Sequence, residues 1–144
     1  LFESWAAPPL VSPGIYRMFA MPYERELITY IKSLGVSYVP LVIGGDTSAI
    51  LDDMLLTGTS LLISDYKADI KYFVEKAKEK NMTIRGNIDP KLVEKGTREE
   101  IIEQLKIMLQ RINGYDKFVV GTGVLPYNTP PKNVIAIREY LEAL

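Results

Sequence analysis

Along the chain, short apolar runs alternate with longer stretches whose apolar residues return every three or four positions. The clearest of the longer stretches is 97–112, where Ile101, Ile102, Leu105, Met108, Leu109 and Ile112 fall along one helical face. Thr97 and Glu100 form a T-x-x-E pair, in which a hydroxyl and a carboxylate satisfy free N–H groups at a helix start. Asn113-Gly114 suits the exit. The same reading predicts helices over 13–34, 47–57 and 68–80 and from Pro131 to the C-terminus, with Gly35 and Gly58 as stops.

Between these stretches lie "YVPLVIG" (38–44), "SLLIS" (60–64), "MTIRGN" (82–87) and "KFVVGT" (117–122). Each is β-rich, mostly apolar and bounded by turn residues, the pattern of strands buried on both faces. The opening "LFES" reads as the tail of a fifth strand whose beginning is missing, and a first residue other than methionine fits a piece cut from something longer. Strand–helix repetition implies right-handed parallel crossovers and an α/β class. Neither a G-x-G-x-x-G nor a Walker lysine follows any strand, so a nucleotide-binding open sheet has no support. The expected architecture is the C-terminal half of a (β/α)8 TIM barrel spanning residues 1–144.

Composition narrows the chemistry. Seventeen basic and eighteen acidic residues give a net charge of -1, with no basic, aromatic-interleaved stripe of the kind a nucleic-acid binder uses. No apolar run approaches the ~20 residues that a bilayer span needs, and no signal peptide opens the chain. A soluble, cytoplasmic protein with no nucleic-acid or membrane partner is expected. Cysteine and histidine are both absent, which removes disulfides, thiolate nucleophiles, imidazole bases and thiolate or imidazole metal ligands. Carboxylates, tyrosine, lysine and arginine remain for proton work.

A barrel gathers its active site at the C-terminal ends of its strands. There the sequence offers Glu3 and Ser4, Asp46, Asp65, the group Arg85, Asn87 and Asp89, the loop Gly121, Thr122 and Gly123, and Tyr127 and Asn128. Each also has a structural reading. Asp46 suits the N-cap of the next helix, and Asp89 before Pro90 suits a turn. For Asp65 the two readings stand level. Arg85, deep in a strand, needs an acid or an anion, and Asp65 is one candidate partner. The tyrosines at 16, 23, 30 and 72 read as helix core, and "KAKEK" (76–80) as a solvated face.

Three stretches in order, "LFESWA" at the start, "GNIDP" at 86–90 and "GTGVLPYNTPPKNV" at 121–134, resemble the uroporphyrinogen decarboxylase family. That family of (β/α)8 barrels also includes methylcobalamin:coenzyme M methyltransferases, and the likeness covers its C-terminal half. In the decarboxylases it implies removal of acetate carboxyls from a tetrapyrrole without metal or cofactor. Ser4 matches their substrate-contacting serine in F-[DE]-S, and Thr122 stands where their G-H-G loop carries histidine. The methyltransferase pattern H-x-C-G-D-T falls on 42–47, so Val42 and Gly44 replace the first two zinc ligands, and the later cysteine is lost near Gly123. Yet "GGDTSAILDDM" and "DYKADI" look closer to the methyltransferases.

Three functions follow as expectations: a metal-free lyase binding a tetrapyrrole or related polycarboxylate through Ser4, Asp46, Asp65, Arg85 and the 121–123 loop; a methyltransferase relative taking a corrinoid-like ligand; and a binding or assembly subunit without catalysis. The decarboxylases' catalytic aspartate and arginines belong to the N-terminal half. A half-barrel leaves strand edges and an inner face open, so self-association or pairing with the missing N-terminal half is expected.

Overall fold

Ser12 starts the first helix, its Oγ accepting a hydrogen bond from Ile15 N–H at 3.3 Å, with Pro13 in the first turn, where a missing N–H costs nothing. In the computed structural model, which describes residues 1–3 and 6–144, α1 (Pro13–Ile15) runs into a π-helical turn (Tyr16–Ala20) and then α2 (Met21–Ser33). The sequence pattern predicts one continuous helix here. Pro22 explains the wider turn: it has no N–H for the Met18 carbonyl and its ring crowds that oxygen, and Met21 N–H bonds the Tyr16 carbonyl instead. Arg17 fixes the turn from outside, donating to both oxygens of the buried Asp53 at 2.9 and 3.0 Å.

A short 3-10 turn (Ser48–Ile50) leads into α3 (Leu51–Leu56), and the chain then continues through α4 (Ile70–Lys80), α5 (Pro90–Lys95), α6 (Arg98–Ile112) and α7 (Pro131–Glu142). The capping box of α6 is formed in full: Glu100 N–H donates to Thr97 Oγ1, and Thr97 N–H to Glu100 Oε2 at 2.8 Å. Asn113 closes that helix in the left-handed conformation. Among the tyrosines expected in the core, Tyr16 is fully buried while Tyr23 and Tyr30 stand exposed on α2. α5 is an addition to the expected elements, started by the Asp89 carboxylate, which accepts from Lys91 N–H at 2.8 Å.

Among the described residues there are five strands, paired in parallel within two sheets: β1 (Phe2–Glu3), β2 (Val42–Ile43), β3 (Leu61–Ser64), β4 (Thr83–Asn87) and β5 (Phe118–Gly121). β1 pairs with β2, and β3, β4 and β5 pair in sequence order. The strand expected over 38–44 contracts to two residues. Pro40 has no N–H to donate, and its neighbours turn to side chains: Val39 N–H donates to Ser60 Oγ at 3.1 Å and Leu41 N–H to Thr59 Oγ1 at 2.9 Å. These two hydroxyl bonds, with a backbone bond from Ser60 N–H to the Val39 carbonyl at 3.1 Å, join the segments that lead into β2 and β3.

The helices cover one face of the sheet. Leu41 and Ile43 pack with Tyr16, Ile28 and Met54; Leu62 and Ile84 with Phe73, Val74 and Ala77; Ile88 with Val93, Ile101, Leu105 and Ile137. Each fully buried aliphatic side chain contributes about 1.5–3 kcal/mol. Parallel strands alternating with helices make a partial TIM-barrel-like fold. Among the described residues, no helix is long and apolar enough to cross a membrane.

Candidate functional site

Side-chain alternation along β4 decides what faces where. Ile84 packs into the helix-side core, and a Cβ on Gly86 would meet the Phe118 ring and, at 3.1 Å, Met108 Sδ. Arg85 and Asn87 therefore stand on the opposite, concave face. In register beside Arg85 are Ile63 of β3 and Val119 of β5, and beside Asn87 is Gly121.

Gly121 answers a steric demand. A Cβ there would overlap Arg85 Nε and Asn87 Oδ1, so the absence of a side chain on β5 is what lets the β4 side chains lie across it. Gly123 serves a different need: its φ of +64 is one that L side chains rarely adopt, and a Cβ there would meet nothing within 4 Å. Thr122 lies between them, its hydroxyl directed weakly to the Gly123 carbonyl at 3.4 Å. The loop then runs outward through Val124 and Tyr127, both almost wholly exposed, and is closed by Thr129, whose N–H and hydroxyl both donate to the Pro126 carbonyl at 3.1 and 2.8 Å.

The aspartates at the strand ends share one local habit. Asp46 accepts from Ser48 N–H, Asp65 from Lys67 N–H, Asp69 from Lys71 N–H and Asp89 from Lys91 N–H, each carboxylate bending back two residues to start the next turn. Asp46 is not the N-cap expected of it: Thr47 holds that position before the 3-10 turn, and the exposed Asp46 makes a turn onto Ser48 N–H instead. Asp65 is engaged with Lys67, and Arg85 makes no ion pair with it. Among the described residues the Arg85 side chain has no hydrogen bond or salt bridge, and Asn87 Oδ1 is buried without a partner. Ser4 lies outside the described residues.

A cavity of about 390 Å3 opens beside these groups on the helix side, bounded by Asp65, Asn87 and Asp89 at the strand ends and by Gln104 and Arg111 of α6. Strand order alone did not signal it, because its far wall comes from the middle of a helix. A second, more apolar cavity of about 470 Å3 lies between Leu1, Val11 and the exposed side of α2. The structure thus brings Arg85, Asn87 and Gly121 into contact on the concave face. It places Asp46, Asp65, Asp89 and Thr122 immediately after the C-terminal ends of β2, β3, β4 and β5.

Chemically, the arrangement offers two cations without an ion pair among the described residues, Arg85 and, across the cavity, Arg111, with an amide acceptor, carboxylates and a short glycine loop. Val42 and Gly44 supply neither imidazole nor thiolate at the two positions where the resemblance to the methyltransferases would put zinc ligands.

Residues 1–144 match the family model described as uroporphyrinogen decarboxylase. The uroporphyrinogen decarboxylase of Prochlorococcus marinus (strain MIT 9515) is 29% identical over 142 residues, covering 97% of this chain and 39% of the relative. That of Chlorobium limicola is 26% identical, covering 99% and 40%. Among solved structures, a methyltransferase from Methanosarcina mazei superposes with a TM-score of 0.73 at 25% identity, over 98% of this chain and 41% of its own. The chain spans about two fifths of the length of these relatives.

Proposed function

The chain belongs to the uroporphyrinogen decarboxylase family, and from that membership we propose that it serves as the C-terminal portion of a cytoplasmic, metal-free decarboxylase acting on a tetrapyrrole or related polycarboxylate. The observation carrying this reading is the family match joined to a strand-end edge that bears an unpaired guanidinium over Gly121. In the reaction an acetate side chain loses its carboxylate as carbon dioxide and gains a proton, leaving a methyl group. Arg85 and the 121–123 loop would hold and orient the ligand, with Asp46 and Asp65 at the strand ends, and Ser4 enters as a ligand contact from the family resemblance alone. Protonation of the ring carbon needs an acid or charge stabiliser outside the groups named here.

Because the chain holds no cysteine or histidine, this reading predicts turnover that survives chelation. Uroporphyrinogen incubated with the full-length protein, with and without a chelator, should lose carboxyl groups at equal rates in both, as followed by chromatography of the oxidised products. Unchanged substrate would remove the proposal.

The Methanosarcina mazei neighbour favours a second reading, methyl transfer from a corrinoid. It ranks lower because zinc activates an acceptor thiol through thiolate and imidazole ligands that these residues lack. Methyl transfer from methylcobalamin, with zinc bound in stoichiometric amount, would reverse the order. Tight ligand binding without turnover would instead select the non-catalytic subunit.

A further inference from the structure

We infer that Arg85 is a specificity-determining anion receptor on the concave face of the sheet, holding one carboxylate of a planar polycarboxylate ligand. The inference rests on the preceding reading that ligand enters at the C-terminal strand ends, and it names the group that would recognise the ligand.

Four observations carry it. Arg85 is partly buried, and its register neighbours Ile63 and Val119 are apolar. Ile63 is buried and Val119 half exposed, so neither neighbour offers the guanidinium an acceptor and one side of it stays open to an incoming anion. The carboxylate two residues beyond Ile63, Asp65, is turned onto Lys67 N–H and leaves the guanidinium unpaired. Gly121 clears the space the guanidinium occupies, since any Cβ there would overlap Nε. Asn87 Oδ1, buried and without a partner, stands beside the same glycine as an acceptor for a ligand N–H. The planar fork of arginine matches a carboxylate through two parallel hydrogen bonds, which lysine or glutamine does not reproduce.

The test uses the full chain and mellitate, a planar aromatic polycarboxylate, with chloride at matched ionic strength as control. The Arg85 Nε–H resonance, identified by its loss in Arg85→Gln, should shift saturably with mellitate and not with chloride. Followed at the Gly121 amide, the half-saturating concentration should rise about tenfold or more in Arg85→Gln. Arg85→Lys should fall between the two, keeping charge without the fork. Gly121→Ala should weaken binding in the same direction, because its methyl group displaces the guanidinium. A wild-type resonance that mellitate leaves unmoved overturns the inference, as does equal affinity in Arg85→Gln. So does a wild-type chain indifferent to mellitate whose Arg85→Gln variant melts early, which would make Arg85 a structural cation. Mellitate binding without uroporphyrinogen turnover keeps Arg85 in this role and removes the decarboxylase reading. Turnover untouched by Arg85→Gln does the reverse.

Discussion

Tyr115 shows how one side chain can join elements distant in sequence. Its hydroxyl donates to the Met82 carbonyl at 2.7 Å, just before β4, and to the Ala77 carbonyl at 3.3 Å, near the end of α4. Burial raises the phenol above its ordinary range, and the neighbouring Asp116 charge adds to the shift. The folded value therefore exceeds the unfolded one, so the stabilisation is complete below about pH 10 and fades as pH climbs through the folded value. Tyr115→Phe should cost about 1 kcal/mol in chemical denaturation at neutral pH. That gap should close in strongly alkaline buffer. Other single residues were legible to different degrees. Asp46 could be read only approximately, since it turns onto Ser48 N–H one position ahead of the Thr47 N-cap, and the reason for Gly121 could not be read at all, because it depends on where β4 side chains lie across a neighbouring strand.

At the scale of elements, periodicity and capping chemistry located most helices, and they failed where a helix is short or interrupted. α6 has four turns of pattern and a T-x-x-E start, and both are realised. α5 has six residues, too few for a face to repeat, so Asp89-Pro90 reads only as a turn. The π-helical turn before Pro22 buries Tyr16 but leaves Met18 and Phe19 exposed, so its apolar residues read as ordinary helix core and do not mark the interruption. The strand at 38–44 reads as longer than it is because apolar content does not reveal that Pro40 breaks the ladder. Thr97→Ala should lower stability by about 0.5–2 kcal/mol, measured by urea denaturation, since it removes the acceptor for Glu100 N–H. Leu105→Ala should cost more, about 2–5 kcal/mol, because Leu105 is fully buried against Val93 and Ile137 and its removal leaves a cavity.

For the whole molecule, β/α alternation is the property the amino-acid order declares most openly, since it needs only strands, helices and their succession. What the order does not declare is how the concave face is covered. Phe2 is 81% exposed and Val119 48% exposed, and the π-helical turn and α2 present Met18, Phe19 and Tyr23 to solvent. Surfaces of this kind rarely stay bare in water. We expect the chain to associate, with itself or with an N-terminal half supplied separately. Sedimentation velocity over a dilution series should show a concentration-dependent species, and a single monomer throughout would contradict that expectation. The hydroxyl-mediated junction between β2 and β3 carries a mechanical consequence. Two hydroxyl bonds and the bond from Ser60 N–H to the Val39 carbonyl stand there in place of a continuous ladder, so the β1–β2 and β3–β4–β5 pairings meet at a crease. The curvature of the floor beneath Arg85 can change along that line without unzipping a ladder on either side.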